Sequence, residues 1–136
     1  MAVVSKANAE WKGSLKEGGG EVAFGTFKGD YTFASRFETG GKTNPEELIA
    51  AAHASCFSMA LSAQLGERSI TPQAIETTCT VTFENLTLTK SALKTTVKAP
   101  GADKAKVEDA AAAAKAGCPI SKVLKLEIVL DLTVEP

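Results

Sequence analysis

The sequence predicts an α+β domain in which antiparallel sheets surround one long central helix. Three observations carry that reading. The first forty residues break into short strand-like segments punctuated by glycine turns. A capped, almost wholly apolar stretch follows, running from Asn44 to Gly66. Beyond it come two alternating segments, an alanine-rich stretch, a short third helix and a closing strand. The predicted order is βββ-α-ββ-αα-β, with no βαβ repeat and no linker.

The N-terminal strands are expected at residues 9–15, 21–27 and 30–38, with turns at Gly18-Gly19-Gly20 and Gly29-Asp30. Side chains alternate across a strand, so Tyr31, Phe33, Ser35 and Phe37 share one face of the third segment. Thr32, Ala34, Arg36 and Glu38 share the other, which sets Arg36 among small side chains. Asn44 suits the cap of the long helix, Pro45 its first position, and Glu47 closes a capping box. The helix passes Cys56, Phe57, Met59 and Leu61 to Leu65, and Gly66 is its natural stop. Its middle is apolar on almost every side, which predicts a buried central helix. A chain this short surrounds such a helix with difficulty, and a second subunit would complete the burial. Strands at residues 75–84 and 86–99 meet near Glu84-Asn85, with Cys79, Val81 and Phe83 pointing inward. Asp103 caps an alanine-rich helix that ends at Gly117. Cys118-Pro119 opens the short helix, and residues 127–134 form the last strand.

A length of 136 residues fits one compact domain, residues 1–136, with no second core expected. With 44% hydrophobic and 23% charged residues the composition is globular rather than disordered. A net charge of −1 and scattered Lys and Arg offer no basic field for nucleic acid. Residues 1–14 lack an apolar signal core, and no stretch is read as approaching the roughly 18 apolar residues of a membrane span. A cytoplasmic location is expected. Three cysteines without a C-x-x-C pair argue against both a disulfide framework and a zinc site of the usual spacing.

The candidate chemistry is therefore thiol reactivity. Burial raises a thiol pKa, so Cys56 is inert packing unless a cation stabilises its thiolate. The chain has two arginines, Arg36 and Arg68, and Arg36 is the plausible partner. Cys118 adjoins a helix N-cap, where free N–H groups favour an anion, or else is a loop thiol packed behind Gly117. Cys79 reads as core. Glu46 and Glu47 suit the helix start; Glu46 lies ten residues before Cys56, roughly 15 Å along the axis, too far to serve that thiol within its own helix. A carboxylate there could instead hold an Arg36 that reaches across a dimer interface. His53, the only histidine, stands one turn from Cys56 as a possible base or a satisfied buried polar residue. His53, Cys56 and Cys118 could together bind a metal, though their spacing does not recommend it.

Residues 43–61, with Asn44-Pro45-Glu46-Glu47 and Ala52-His53-Ala54-Ser55-Cys56, resemble the central-helix motif of the osmotically inducible protein C (OsmC) family. Lys115-Ala116-Gly117-Cys118-Pro119-Ile120-Ser121 resembles its second cysteine motif, Arg36-Phe37-Glu38 its arginine strand, and Trp11 with Gly13 its start. The likeness covers nearly the whole chain and is closer to OsmC-type peroxidases than to organic hydroperoxide resistance proteins. It implies an OsmC-like fold and an intertwined homodimer with sites at the interface. It also implies Cys56 as the peroxidatic thiol, Cys118 as the resolving thiol, Arg36 as holder of the thiolate, and Glu46 as the residue that positions Arg36. Glu47 would then be a cap residue only. The connection at residues 84–88 is shorter than the family pattern, which bears on substrate size.

The implied activity is reduction of organic hydroperoxides, and less well of hydrogen peroxide, in oxidative and osmotic stress. Cys56 thiolate would become a sulfenic acid, Cys118 would condense with it, and a dithiol reductant, for which a lipoyl group is one candidate, would reopen the disulfide. No metal, flavin or haem is needed, because sulfur carries the electrons. Phe57 and Met59 are expected to line an apolar pocket that favours alkyl peroxides. The rival readings are a dimeric binding or structural module with packing cysteines, and a metal-binding protein.

Overall fold

The computed structural model describes residues 2–38 and 41–136. They divide into two compact units, the described residues up to 48 and residues 49–136.

In the first unit, β1 (Asn8–Lys12), β2 (Gly19–Phe24) and β3 (Phe27–Tyr31) form an antiparallel meander in the order β1-β2-β3. Both expected turns move: the first spans residues 13–18, with Gly19 and Gly20 already in β2. The β2–β3 loop is Gly25-Thr26, with Gly25 at φ +54°, as short hairpin loops require. Gly29-Asp30 instead lies inside β3. A Cβ at Gly29 would come within 3.2 Å of the Phe27 ring and 3.3 Å of the Thr43 methyl, so the glycine marks a close approach rather than a turn.

The third strand also stops earlier than its alternation suggests. After Tyr31 the chain turns through a single 3-10 turn, Ala34–Arg36. Thr32 and Ser35 cause this. The Ser35 N–H donates to Thr32 Oγ1 at 3.0 Å and the Thr32 N–H to Ser35 Oγ at 2.8 Å, a local exchange that outcompetes the sheet ladder. Arg36 therefore does not occupy a strand face.

Helix α1 (Pro45–Glu67) begins where expected. Asn44 Oδ1 accepts the Glu47 N–H at 2.7 Å, but the Glu47 carboxylate accepts from Thr43 Oγ1 at 2.8 Å, so only half of the capping box forms. The helix runs through Gly66. Its stop is Ser69, at φ +60°, with Ile70 N–H bonded to Leu65 O and Ser69 N–H to Gly66 O in a Schellman motif.

In the second unit, β4 (Ala74–Glu84), β5 (Thr87–Lys98) and β6 (Glu127–Glu135) form the other sheet, in the order β4-β5-β6. Helices α2 (Lys104–Gly117) and α3 (Pro119–Val123) join β5 to β6. Here the expected absence of a βαβ unit fails, because β5 and β6 pair in parallel. A parallel pair needs a long crossover, which the two helices supply.

The hydrophobic core lies in this unit. Phe57, Leu61 and Leu65 of α1 meet Leu93 and Val97 of β5 and Val107, Ala110, Ala111 and Ala114 of α2. Burial of each large aliphatic or aromatic side chain contributes about 1.5–3 kcal/mol. One face of α1 is buried at i, i+4 spacing from His53, while Met59 is 74% exposed. By length and composition α1 is apolar enough to cross a membrane, contrary to expectation. Its packed face is the behaviour of a core helix with a second apolar face left over.

Candidate active site

The expected site residues form two groups, one in each unit. In the second unit α1 brings Cys56, and the junction of α2 with α3 brings Cys118, so that their Sγ atoms lie 2.8 Å apart as free thiols. Cys118 is fully buried and Cys56 half-buried. It ends α2, its N–H bonding Ala114 O, and caps α3, whose first residue Pro119 has no N–H to satisfy. Burial pushes the Cys56 thiol up and the contact with Cys118 adds to this, while a hydrogen bond from the Ile120 backbone offsets part. Burial alone would raise Cys118 as well. The contact with Cys56, the Ser121 and Ile120 backbone N–H groups and the Ser121 hydroxyl outweigh it and bring Cys118 down. Two sulfurs this close titrate as a pair, and the local field favours the charge on Cys118.

His53 does not act on Cys56 in this arrangement. It is fully buried, with Nδ1 2.6 Å from Ser91 Oγ and Nε2 2.9 Å from Ser121 Oγ, and burial pushes its pKa down. Cys79 packs against the core, as its alternation suggested, and lies 3.1 Å from Ser91 Oγ. Among the described residues no group of three His, Cys, Asp or Glu side chains could hold a metal. Both nitrogens of His53 are already committed to serines. The polar partners of His53 were not anticipated, although β5 carries a signal. Ser91 and Thr95 alternate with Leu93 and Val97 at buried positions, where a hydroxyl requires a partner.

In the first unit Arg36 Nε lies 2.9 Å from Glu46 Oε1. The 3-10 turn that removes Arg36 from a strand turns it toward Tyr31 and Phe33, the residues expected on the opposite face. All three line a cavity of about 240 Å³, with Trp11, Leu15 and Pro45. Trp11 is fixed by donation from Nε1 to Gly13 O at 3.1 Å, and its ring lies 5.5 Å from that of Tyr31. A side chain at Gly20 would strike both rings, at 2.6 Å and 2.8 Å, so only glycine lets them lie across β2. Phe57 and Met59 do not form the expected pocket, since Phe57 is sealed in the core and Met59 is exposed.

Residues 38–133 match the family described as OsmC-like protein. The chain is 47% identical over 140 residues to Peroxiredoxin OsmC of Escherichia coli (strain K12), with 96% of each chain covered. A solved OsmC-like protein of unknown function from Vibrio cholerae superposes with a TM-score of 0.79 at 16% identity, over 96% of this chain and 99% of that one. The organic hydroperoxide resistance protein OhrB of Bacillus subtilis does so with a TM-score of 0.63 at 25% identity, over 96% and 98%. The fold agrees with these solved structures, and by family match and identity the chain belongs to the OsmC family, on its peroxiredoxin side.

Proposed function

We propose that the protein is a cysteine-based peroxidase that reduces organic hydroperoxides through Cys56 and Cys118. The observation that carries this reading is the 2.8 Å approach of their sulfurs, because a sulfenic acid on one meets the other without chain rearrangement. The name peroxiredoxin borne by the Escherichia coli relative supports it.

The Cys56 thiolate attacks one peroxide oxygen. A sulfur–oxygen bond forms, the O–O bond breaks, and the alkoxide leaves as an alcohol after taking a proton. Cys118 then displaces the sulfenic oxygen as water to give a disulfide, and a dithiol reductant restores both thiols by exchange. Burial opposes charge on Cys56, so a cation must favour it over Cys118. Arg36 takes that role and steadies the departing oxygen, with Glu46 as its positioning residue. The aromatic cavity beside Arg36 suits an apolar substrate tail, which favours alkyl hydroperoxides over hydrogen peroxide.

A homodimer belongs to the same reading. Helix α1 leaves Met59 and its neighbours uncovered, and a second copy of this face is the natural cover. Work in a reducing compartment such as the cytoplasm follows from reactive rather than structural thiols.

Consumption of an alkyl hydroperoxide with a small dithiol, in wild type, Cys56→Ser and Cys118→Ser, tests the proposal. Turnover in wild type and its loss in both variants is expected. Background rates in all three proteins would return the cysteines to a packing role.

A further inference from the structure

We propose that His53 is a positioning residue for the resolving thiol: it orders a buried chain of hydroxyls whose hydrogens all point toward Cys118 Sγ. The inference rests on the Cys56–Cys118 cycle proposed above and assigns a role to groups that cycle leaves unused. Three contacts build the chain, and Ser121 carries it to Cys118. Cys79 Sγ lies 3.1 Å from Ser91 Oγ, Ser91 Oγ 2.6 Å from His53 Nδ1, and His53 Nε2 2.9 Å from Ser121 Oγ. Ser121 stands three residues past Cys118 in α3, its hydroxyl is among the groups that bring the Cys118 thiol down, and in the proposed chain it donates to Cys118 Sγ. His53 and Ser91 are fully buried and Ser121 is buried, so water does not compete for these groups.

The direction of the chain follows from counting hydrogens. A buried neutral imidazole has one donor and one acceptor nitrogen, and each hydroxyl has one hydrogen. If Ser121 donates to Cys118, its oxygen must accept from His53 Nε2–H. Nδ1 is then the acceptor, Ser91 donates to it, and the Ser91 oxygen accepts from Cys79 S–H. Every hydrogen is used. In the opposite direction Cys118 would have to donate S–H to Ser121, which a thiolate cannot do. Ionisation of Cys118 therefore admits only the first direction, and the His53 tautomer locks it. Burial pushes His53 down and Cys79 up, so the ring stays neutral and Cys79 keeps the hydrogen it gives to Ser91.

The step served is resolution. Cys118 Sγ attacks the sulfenic sulfur of Cys56, a sulfur–sulfur bond forms and the S–O bond breaks. The hydroxide leaves as water with the proton that Cys118 gave up; Cys118 sulfur is oxidised and the sulfenic sulfur reduced. Titratable groups facing Cys118 are Cys56 directly, from α1, and His53 through Ser121, with Cys79 of β4 at the far end. Helix α2 meets it through the Ala114 carbonyl.

Two readouts test this. In a Cys56→Ser background, the pH dependence of Cys118 alkylation gives its pKa with no peroxide involved. Ser121→Ala, a small change expected to fold, and His53→Leu should each raise that pKa by about one pH unit or more. His53→Gln, which keeps a donor, should restore part of the shift. With Cys56 present, both variants should slow disulfide formation about threefold while sulfenic acid formation keeps its rate. An unmoved Cys118 pKa in Ser121→Ala overturns the inference. A shifted pKa in a protein whose wild type forms no Cys56–Cys118 disulfide would uphold the hydroxyl chain and overturn the peroxidase cycle instead.

Discussion

Cys118 Sγ lies 2.8 Å from Cys56 Sγ although 62 residues separate them in the chain. Core packing creates this proximity. Phe57, Leu61 and Leu65 seat α1 in the same cluster as Val107, Ala110 and Ala114 of α2, and small side chains on α2 permit close approach. Cys118 emerges where α2 ends, so the thiol pair is held by the close-packed core.

The ion pair in the first unit makes a prediction about substrate activation. Arg36→Lys keeps the charge but loses the planar fork, and the peroxide step should slow about 10²-fold. Glu46→Gln should slow it by a smaller factor, because Arg36 remains but is no longer held at 2.9 Å. Single-turnover formation of the sulfenic acid reads both. Equal rates in wild type and Arg36→Lys would remove Arg36 from the chemistry.

His53 makes stability depend on pH. Its folded pKa is pushed below 6.5, the value it has when unfolded. Below pH 6.5 the unfolded chain binds a proton that the folded chain does not. Stability is therefore full above 6.5 and falls as pH drops toward the folded pKa, by up to about 1.4 kcal/mol per unit. Urea denaturation between pH 8 and pH 5 should show this slope, and His53→Gln should flatten it. An undiminished slope in the variant would assign the effect to other groups.

The β4–β5 hairpin turns on Asn85 and Leu86, both at positive φ, +52° and +57°. Asparagine accepts that conformation readily, whereas leucine is strained in it. Leu86 is 81% exposed and has little packing to lose. Leu86→Gly should stabilise the fold by about 1 kcal/mol, read as a raised urea midpoint with unchanged m-value. A lowered midpoint would mean that the exposed side chain has a partner.

The two neighbouring apolar residues Phe57 and Met59 should respond oppositely to substitution. Phe57→Ala opens a cavity in the core and should cost about 3–5 kcal/mol. Met59→Glu should leave the monomer fold intact and dissociate the proposed dimer, measured by light scattering after gel filtration. A variant that remains dimeric would place the interface elsewhere.

Much of this architecture was legible locally. Asn44-Pro45, Asp103, Gly117 and Cys118-Pro119 mark helix ends through their own backbone chemistry, and alternation marks β4, β5 and β6. What escaped depended on competition or on distant partners. The run from Tyr31 to Phe37 alternates like a strand, but the Thr32–Ser35 exchange diverts it into a 3-10 turn, which brings Arg36 to the aromatic side. Gly66 resembles a stop, yet the helix continues to Glu67 and the left-handed residue that terminates it is Ser69, where the Schellman bonds form. Parallel pairing of β5 with β6 has no local signature. The partners of His53 lie 38 and 68 residues away, so a lone histidine gave no hint of a hydrogen-bonded chain.

The central claim is that Cys56 and Cys118 form one redox pair. Treating the reduced protein with one equivalent of alkyl hydroperoxide, blocking free thiols and mapping peptides by mass spectrometry tests it most directly. The account predicts a Cys56–Cys118 disulfide, with Cys79 still a free thiol. Recovery of Cys56 and Cys118 as free thiols, or a disulfide that joins either one to Cys79, would contradict it.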